Sequence, residues 1–391
     1  MKCAVIIAEY NPFHKGHQWQ VEQLRAMGYS HIAAVMSGCF VQRGACAIFH
    51  KTQRTRMALL GGIDLVIELP LPYACATAQR FAFGGVALAD DLGCADALCF
   101  GSECGDIQRL NQVVDALEDP ALSACLAKYL AQGMTFAKAR TLAVSELASP
   151  ETAALLEEPN NSLGIEYLLH LRQLGSSLTA VTIPRNSVSH HDNTPQNGFA
   201  SASHIRSLLL EGRVEEASSL VPVETASLLR DCAPVSMDDR IILSRLRTLS
   251  KEQLSRLPDC SEGIENRLYQ AIRDSVTLEE IWEKTKSKRY SHARIRRLSM
   301  NAFLGVEDGL HQQTPPYIRV LGFNQKGQEL LSLMRKSANL PVSGSLADLA
   351  RTSPCADEFA RLEAQSVDLY NLFEDKLKPC GQDYRFSPIR L

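Results

Sequence analysis

The chain has 391 residues, 45% of them hydrophobic and 22% charged, and its 41 basic and 44 acidic residues leave a net charge of -3. A chain this apolar and this near neutrality is not disordered, and its length accommodates two domains at roughly 100–200 residues each. A surface that is basic all over is excluded, no apolar run approaches the roughly 20 residues of a membrane span, and the first run, Cys3 to Ala8, stops at Glu9 without forming a secretory signal.

In chain order, the first half alternates short apolar runs with helical patterns, the mark of a parallel α/β sheet. The runs Ala4–Ala8, Ile32–Met36, Asp64–Glu68, Ala97–Phe100 and Leu178–Ile183 read as strands covered on both faces. Between them, Gln18–Met27, Lys51–Leu60, Ile107–Leu117 and Leu163–Leu174 read as helices, and Ser201–Leu210 follows as another. From about Val214 to Gly305 only helical patterns occur, for example Met237–Leu249 and Leu278–Lys284, with Pro222, Pro234 and Pro258 as breaks. Tyr317–Phe323 reads as one more strand, Gln328–Lys336 as a helix, and the tail from Leu346 as helix again. The expected architecture is a doubly wound parallel sheet over residues 1–212 with a mainly helical domain over 213–391.

Twelve cysteines raise the question of disulfides or a metal. No C-x-x-C pair occurs, and the tightest group, Cys94, Cys99 and Cys104, is spaced by five, whereas zinc ligands usually come in pairs two to four residues apart. Reduced thiols in a cytoplasmic protein are the expectation, with no dedicated metal site.

In an open parallel sheet, ligands bind beyond the carboxyl ends of the strands. The first such loop reads Ala8-Glu9-Tyr10-Asn11-Pro12-Phe13-His14-Lys15-Gly16-His17 and opens a helix. It is neither a Walker A loop nor a dinucleotide fingerprint. Gly16 lets the backbone approach an anion at the helix N-terminus, and His14 and His17 add donors for charge developing on a phosphate. That suits attack at an α-phosphate with pyrophosphate leaving. Other strand ends add Ser37 to Gly44 leading to Lys51, Arg54 and Arg56, then Gly101-Ser102-Glu103, Asn160-Asn161, Arg185, and Ser201-Ala202-Ser203-His204-Ile205-Arg206. Five such sites on one sheet edge favour a nucleotide pocket.

The segments EYNPFHKGH, MSGCFVQRGACAI, GIDLVIELP, FGSE, PNNSLGIEY and SASHIRSLL, in this order, resemble the bacterial tRNA(Met) cytidine acetate ligase family of the nucleotidylyltransferase superfamily. The resemblance implies a Rossmann-like domain that activates acetate with ATP as acetyl-adenylate and acetylates N4 of the wobble cytidine of elongator tRNA(Met). It implies that ATP lies on Ile7, Ala8, Glu9, Tyr10, Asn11, Pro12, Phe13, His14, Lys15, Gly16, His17, Gln18, Trp19 and Gln20, and on Gly101, Asn161 and Arg185. His14 and His17 would support adenylylation, and Mg2+ is expected to accompany ATP.

Between Lys284 and Arg297 stand seven cations and no acidic residue, with Tyr290 and His292 among them. Lys286, Lys288, Arg289, Arg294, Arg296 and Arg297 are the expected RNA contacts, because cations beside stacking groups suit folded RNA and no acid at i±4 relieves their repulsion. Two other functions compete: adenylyl transfer to a small phosphorylated metabolite, and RNA binding without catalysis. A helical second half is superfluous for the first, and the intact histidine pair argues against the second.

Overall fold

The structure, a computed structural model, describes residues 1–185 and 199–391. Its strands are β1 (Cys3–Ala8), β2 (His31–Ser37), β3 (Phe40–Val41), β4 (Ala45–Cys46), β5 (Leu65–Leu69), β6 (Ala97–Ser102), β7 (Thr179–Pro184), β8 (Ile318–Phe323), β9 (Val342–Ser343) and β10 (Ile389–Arg390). Along the main sheet the order is β10-β8-β5-β2-β1-β6-β7, with β9 beside β8, while β3 and β4 form a separate antiparallel hairpin. The five strands β5, β2, β1, β6 and β7 are parallel. From β1 the chain first builds outward through β2 and β5 and then returns to the other side of β1 for β6, so the strand order reverses between β1 and β6. The crevice beyond these two carboxyl ends is where the topology places a ligand.

The continuous apolar strands alternate between two cores. Cys3, Val5 and Ile7 of β1 face one cluster, together with Leu98 and Phe100 of β6, while Ala4 and Ile6 face the other with Ala97 and Cys99. A period of two sends successive side chains to opposite faces, and both faces are covered, which is why no polar alternation marks these strands. Helices Lys15–Ala26, Lys51–Leu60 and Ala202–Leu210 cover one face; Ala78–Asp91, Ile107–Leu117 and Pro159–Gln173 cover the other.

The segment beyond residue 212 is mostly helix, yet it also enters the sheet. Strand β8 pairs antiparallel with β5, and the helices His292–Leu304 and Pro354–Asn371 share the hydrophobic cluster of the β1–β6 face. The sheet is therefore mixed at this edge. All twelve cysteines are free thiols, and no helix among the described residues is long and apolar enough to cross a membrane.

Candidate active site

Helix Lys15–Ala26 starts three residues earlier than its apolar pattern suggests because His14 caps it. The His14 Nδ1 accepts the Gly16 N–H at 3.0 Å, and the His17 Nδ1 accepts the His14 N–H at 3.2 Å, a capping box built from two imidazoles. With both Nδ1 atoms used as acceptors, each ring carries its proton on Nε2. The rings stack, with centroids 3.8 Å apart and planes 25° apart. Burial holds His14 down to about 3, helped by the Arg185 and Arg206 charges. Burial, then His14 and Arg185, holds His17 well below the ordinary histidine value. Both are neutral donors at pH 7. Gly16 is required here, since a Cβ would lie 2.9 Å from the His14 Cε1.

The backbone at this helix start is already occupied: the Lys15 N–H reaches the Leu220 carbonyl at 3.3 Å and the Gly16 N–H is spent on His14. An anion at this corner meets imidazole Nε2–H groups before it meets free peptide N–H groups, a change from the expectation for a bare helix N-terminus. Just upstream, Tyr10 has φ 46°, uncommon for an aromatic residue and found most often at functional sites. Its ring lies edge-on to His17 with centroids 4.8 Å apart.

These residues wall a cavity of about 480 Å³ at the β1–β6 switch point. Opposite the histidines, Arg185 follows β7 and its Nη1 donates to the Asn160 Oδ1 at 2.8 Å. Glu103 holds the start of helix Pro159–Gln173, accepting from the Asn160 and Asn161 backbone N–H groups at 3.2 and 2.7 Å. Arg206 enters from helix Ala202–Leu210 and donates to the Asn11 carbonyl at 2.8 Å and the Ser203 hydroxyl at 3.1 Å. Arg43, at the tip of the β3–β4 hairpin, lines the mouth. The wall also carries apolar and aromatic side chains, Phe81, Phe100, Leu163 and Tyr167 among them. Cations, neutral donors and apolar surface in one cavity suit a nucleotide, with the first two for phosphates and the last for a flat or aliphatic group.

A family model described as HIGH Nucleotidyl Transferase matches residues 1–384. The tRNA(Met) cytidine acetate ligase of Thermoanaerobacter sp. (strain X514) is 38% identical to the chain, with 99% of each covered. Its namesake from Caldanaerobacter subterraneus subsp. tengcongensis is 38% identical over 100% of this chain and 99% of its own. The chain belongs to the tRNA(Met) cytidine acetate ligase family. In three dimensions, the crystal structure of Thermotoga maritima TmcAL bound with alpha-thio ATP matches with a TM-score of 0.93 at 30% identity, covering 100% of this chain and 99% of that one. The apo form of that protein matches with a TM-score of 0.95 at 32% identity, with both chains covered in full.

The nucleotidyltransferase α/β fold expected from the family motifs is thus the fold found. Of the residues named from them, Ile7, Ala8, Glu9, Tyr10, Asn11, His14, Gly16, His17, Trp19, Gln20, Gly101 and Arg185 line the cavity. Pro12, Phe13, Lys15, Gln18 and Asn161 do not. Phe13 is core, Lys15 donates to the Ser219 carbonyl at 2.7 Å, and Gln18 faces a separate, open depression of about 660 Å³ beside Arg25 and Lys326. Asn161 is buried and its Oδ1 accepts the Cys104 N–H at 3.1 Å, so its neighbour Asn160 is the one on the cavity wall.

Two cations expected to meet phosphate or nucleic acid turn inward instead. Lys51 is fully buried against Glu68 and Asp383, and Arg54 is fully buried, donating to the carbonyls of Phe49 and Ser37 at 3.0 Å each. Arg43 and Arg206 line the cavity too; both stand within the strand-end segments singled out in the sequence, where neither side chain was assigned to the nucleotide. The SASHIR run marks the helix that carries Arg206, but only the fold shows that its sixth residue reaches the cavity. The aromatic wall carries no local signal at all.

In the basic segment, the expectation that nothing neutralises the cations fails: partners come from the preceding helix turns for Lys284 and Lys286 and from elsewhere in the chain for Arg294 and Arg297. Arg294 pairs with Glu262 at 3.1 Å, Arg297 with Asp259 at 3.0 Å, and Lys286 with Glu283 at 3.7 Å. Lys288 and Arg289 are exposed, and among the described residues neither side chain has an ion pair. Among the described residues, one group of His and acidic side chains has donor atoms close enough to hold a cation: Glu279, Glu283 and His292, on the surface outside the cavity.

Proposed function

We propose that this chain is an ATP-dependent ligase that activates acetate as acetyl-adenylate and acetylates N4 of the wobble cytidine of elongator tRNA(Met). The observation that carries this reading is the neutral imidazole pair beside two guanidinium groups at the sheet's switch point, in a chain that matches tRNA(Met) cytidine acetate ligases over their whole length. ATP is assigned to the cavity-lining part of the segment 7–20 with Gly101, Asn160, Arg185 and Arg206. In the first step a carboxylate oxygen of acetate attacks the α-phosphorus, the bond to the β-phosphate oxygen breaks, and pyrophosphate leaves with the electron pair. The Nε2–H groups of His14 and His17 and the two guanidiniums oppose the charge that builds on the phosphate oxygens, in a pocket where such donors act strongly. In the second step the cytidine amine attacks the acetyl carbon, loses its proton, and AMP departs. Proximity to a mixed anhydride compensates for the weak nucleophilicity of that amine.

Mg2+ suits this scheme by screening the phosphates. Among the described residues lining the cavity Glu9 is the one carboxylate, and its Oε1 already accepts the Gln42 N–H at 3.0 Å, so the nucleotide phosphates and water would supply most of the coordination. Residues 1–212 hold the ATP chemistry in this reading. Those from 213 on present the RNA surface while also completing the sheet edge through β8. A tRNA substrate places the protein in the cytoplasm.

The test is incubation with labelled acetate, ATP, Mg2+ and a tRNA(Met) transcript. Label in the RNA that depends on ATP is expected. ATP consumed only with a small phosphorylated metabolite would replace this reading with adenylyl transfer, and RNA binding without turnover would replace it with a non-catalytic RNA-binding role.

A further inference from the structure

The seven cations between Lys284 and Arg297 are neutralised unequally. Arg294 and Arg297 are tied to Asp259 and Glu262, Lys286 to Glu283, and Lys284 approaches Glu280 at 3.9 Å. Arg296 has no ion pair among the described residues. Its guanidinium lies over the Trp282 ring at 4.6 Å, and its buried Nε has no hydrogen-bond partner. Stacking of this kind fixes the plane of a guanidinium and leaves its edge for an anion.

Arg296 is also the point where the basic helix meets the β3–β4 hairpin, whose Gln42 and Arg43 line the cavity. Gly44, at the tip of the β3–β4 hairpin, has φ +68°, and a Cβ there would lie 2.7 Å from the Arg296 carbonyl carbon and the Arg297 nitrogen. This backbone-on-backbone contact sets Arg43, the preceding residue, between the helix and the cavity mouth. Arg43 is exposed, lines that mouth, and has no ion pair among the described residues. Burial depresses the Arg206 guanidinium, and the like charges of Arg43 and Arg296 depress it further, opposed by Glu9. Arg206 thus sits in the positive field of Arg43 and Arg296, offset in part by Glu9, and an added polyanion would relieve that repulsion further.

We propose that Arg296 and Arg43 form a phosphate track leading the RNA strand from the exposed corner at Lys288 and Arg289 to the mouth of the ATP cavity, where they hold the backbone beside the cytidine to be acetylated. They are positioning residues. The inference rests on the ligase reading above, and it commits the cations to RNA phosphates and not to those of ATP.

The measurement compares acetate-dependent ATP–pyrophosphate exchange, acetyl transfer to tRNA, and the salt dependence of tRNA binding, for Arg43→Ala, Arg296→Ala and the corresponding lysine variants. Each alanine variant is expected to lower the ratio of transfer to exchange about tenfold and to reduce the log–log salt slope of binding by about one. Lysine, which keeps the charge, should restore most of both. An equal fall in exchange and transfer would assign these cations to ATP and overturn the track, as would an unchanged salt slope. Should the wild-type protein show no acetate-dependent exchange, the ligase reading fails, while the salt slopes still decide whether the track binds RNA.

Discussion

His14 and His17 each do two things with one ring. The Nδ1 closes a backbone hydrogen bond that starts the helix, and that bond forces the proton onto Nε2, on a ring that lines the cavity. The H-x-G-H pattern was legible in the sequence, but the protonation state was not, since it depends on burial and on Arg185 and Arg206, which lie some 170 to 190 positions away. A neutral pair leads to a specific pH behaviour. Catalysis by these donors should show no loss as pH rises through 6 to 7, because no imidazolium is being discharged there. Stability should respond on the acid side: the unfolded chain takes up protons below about 6.5 while His14 stays neutral down to about 3. The native state is therefore destabilised as pH falls through that window, by about 1.4 kcal/mol per pH unit for each such histidine. Urea titrations at pH 7.5 and 5.5 in the Glu363→Gln background, which removes the opposing titration of that buried carboxyl group, check this. In the same assays, His17→Ala should reduce adenylate formation about 10²–10³-fold while tRNA affinity stays near that of the wild type; adenylate formation at the wild-type rate would remove the loop from the mechanism.

Among the elements, the start of helix Pro159–Gln173 separates two adjacent asparagines into different jobs. The sequence shows Asn160-Asn161 opening a helix, and spacing alone cannot say which faces a ligand. The two separate at Glu103 and Cys104, in the loop after β6: Asn161 accepts the Cys104 N–H, while Asn160 lines the cavity and receives Arg185. Asn161→Ala leaves the part-buried Cys104 N–H unpaired and opens a gap at a buried side chain, and should cost about 1–3 kcal/mol of stability with little change in the KM for ATP once folded. Asn160→Ala should do the reverse, raising that KM severalfold by releasing Arg185, with a smaller effect on the unfolding midpoint. Identical effects from the two changes would contradict this division. The parallel strands were readable because each is a short, mostly apolar run. The β3–β4 hairpin was not, for its strands are two residues long and too short for any period to show. Yet its tip brings Arg43 and the basic helix to the site.

Across the whole molecule, the sheet's far edge is held by charges that the sequence disperses. Arg319 of β8 and Lys51 meet Glu68 of β5 and Asp383 near the C-terminus, with all four side chains buried, and the partners lie up to 332 residues apart along the chain. Such separation is why Lys51 reads as a surface cation in sequence and why the tail's attachment to the sheet is invisible there. Removing one partner from a buried pair is costly, so this network fixes how the segment beyond residue 212 seats on the nucleotide fold. Glu363, on helix Pro354–Asn371, lies in the same buried region and accepts the Leu71 N–H. Burial, followed by the neighbouring Glu68 carboxylate, pushes it up to about 8, so it carries a proton in the native state at neutral pH. An unfolded glutamate has already lost that proton above about 4.5. Stability from this group is therefore fully present below 4.5 and declines as pH rises towards 8, in the direction opposite to the histidine effect. Between pH 6.5 and 8 the histidines no longer contribute, and Glu363 alone should remove about 2 kcal/mol. Glu363→Gln keeps the acceptor for the Leu71 N–H and cannot ionise, so its unfolding free energy should stay level across that interval where the wild type declines. Urea midpoints for both proteins at pH 6.5, 7.25 and 8 give the comparison, and parallel declines would show that the carboxyl group is already ionised in the folded chain.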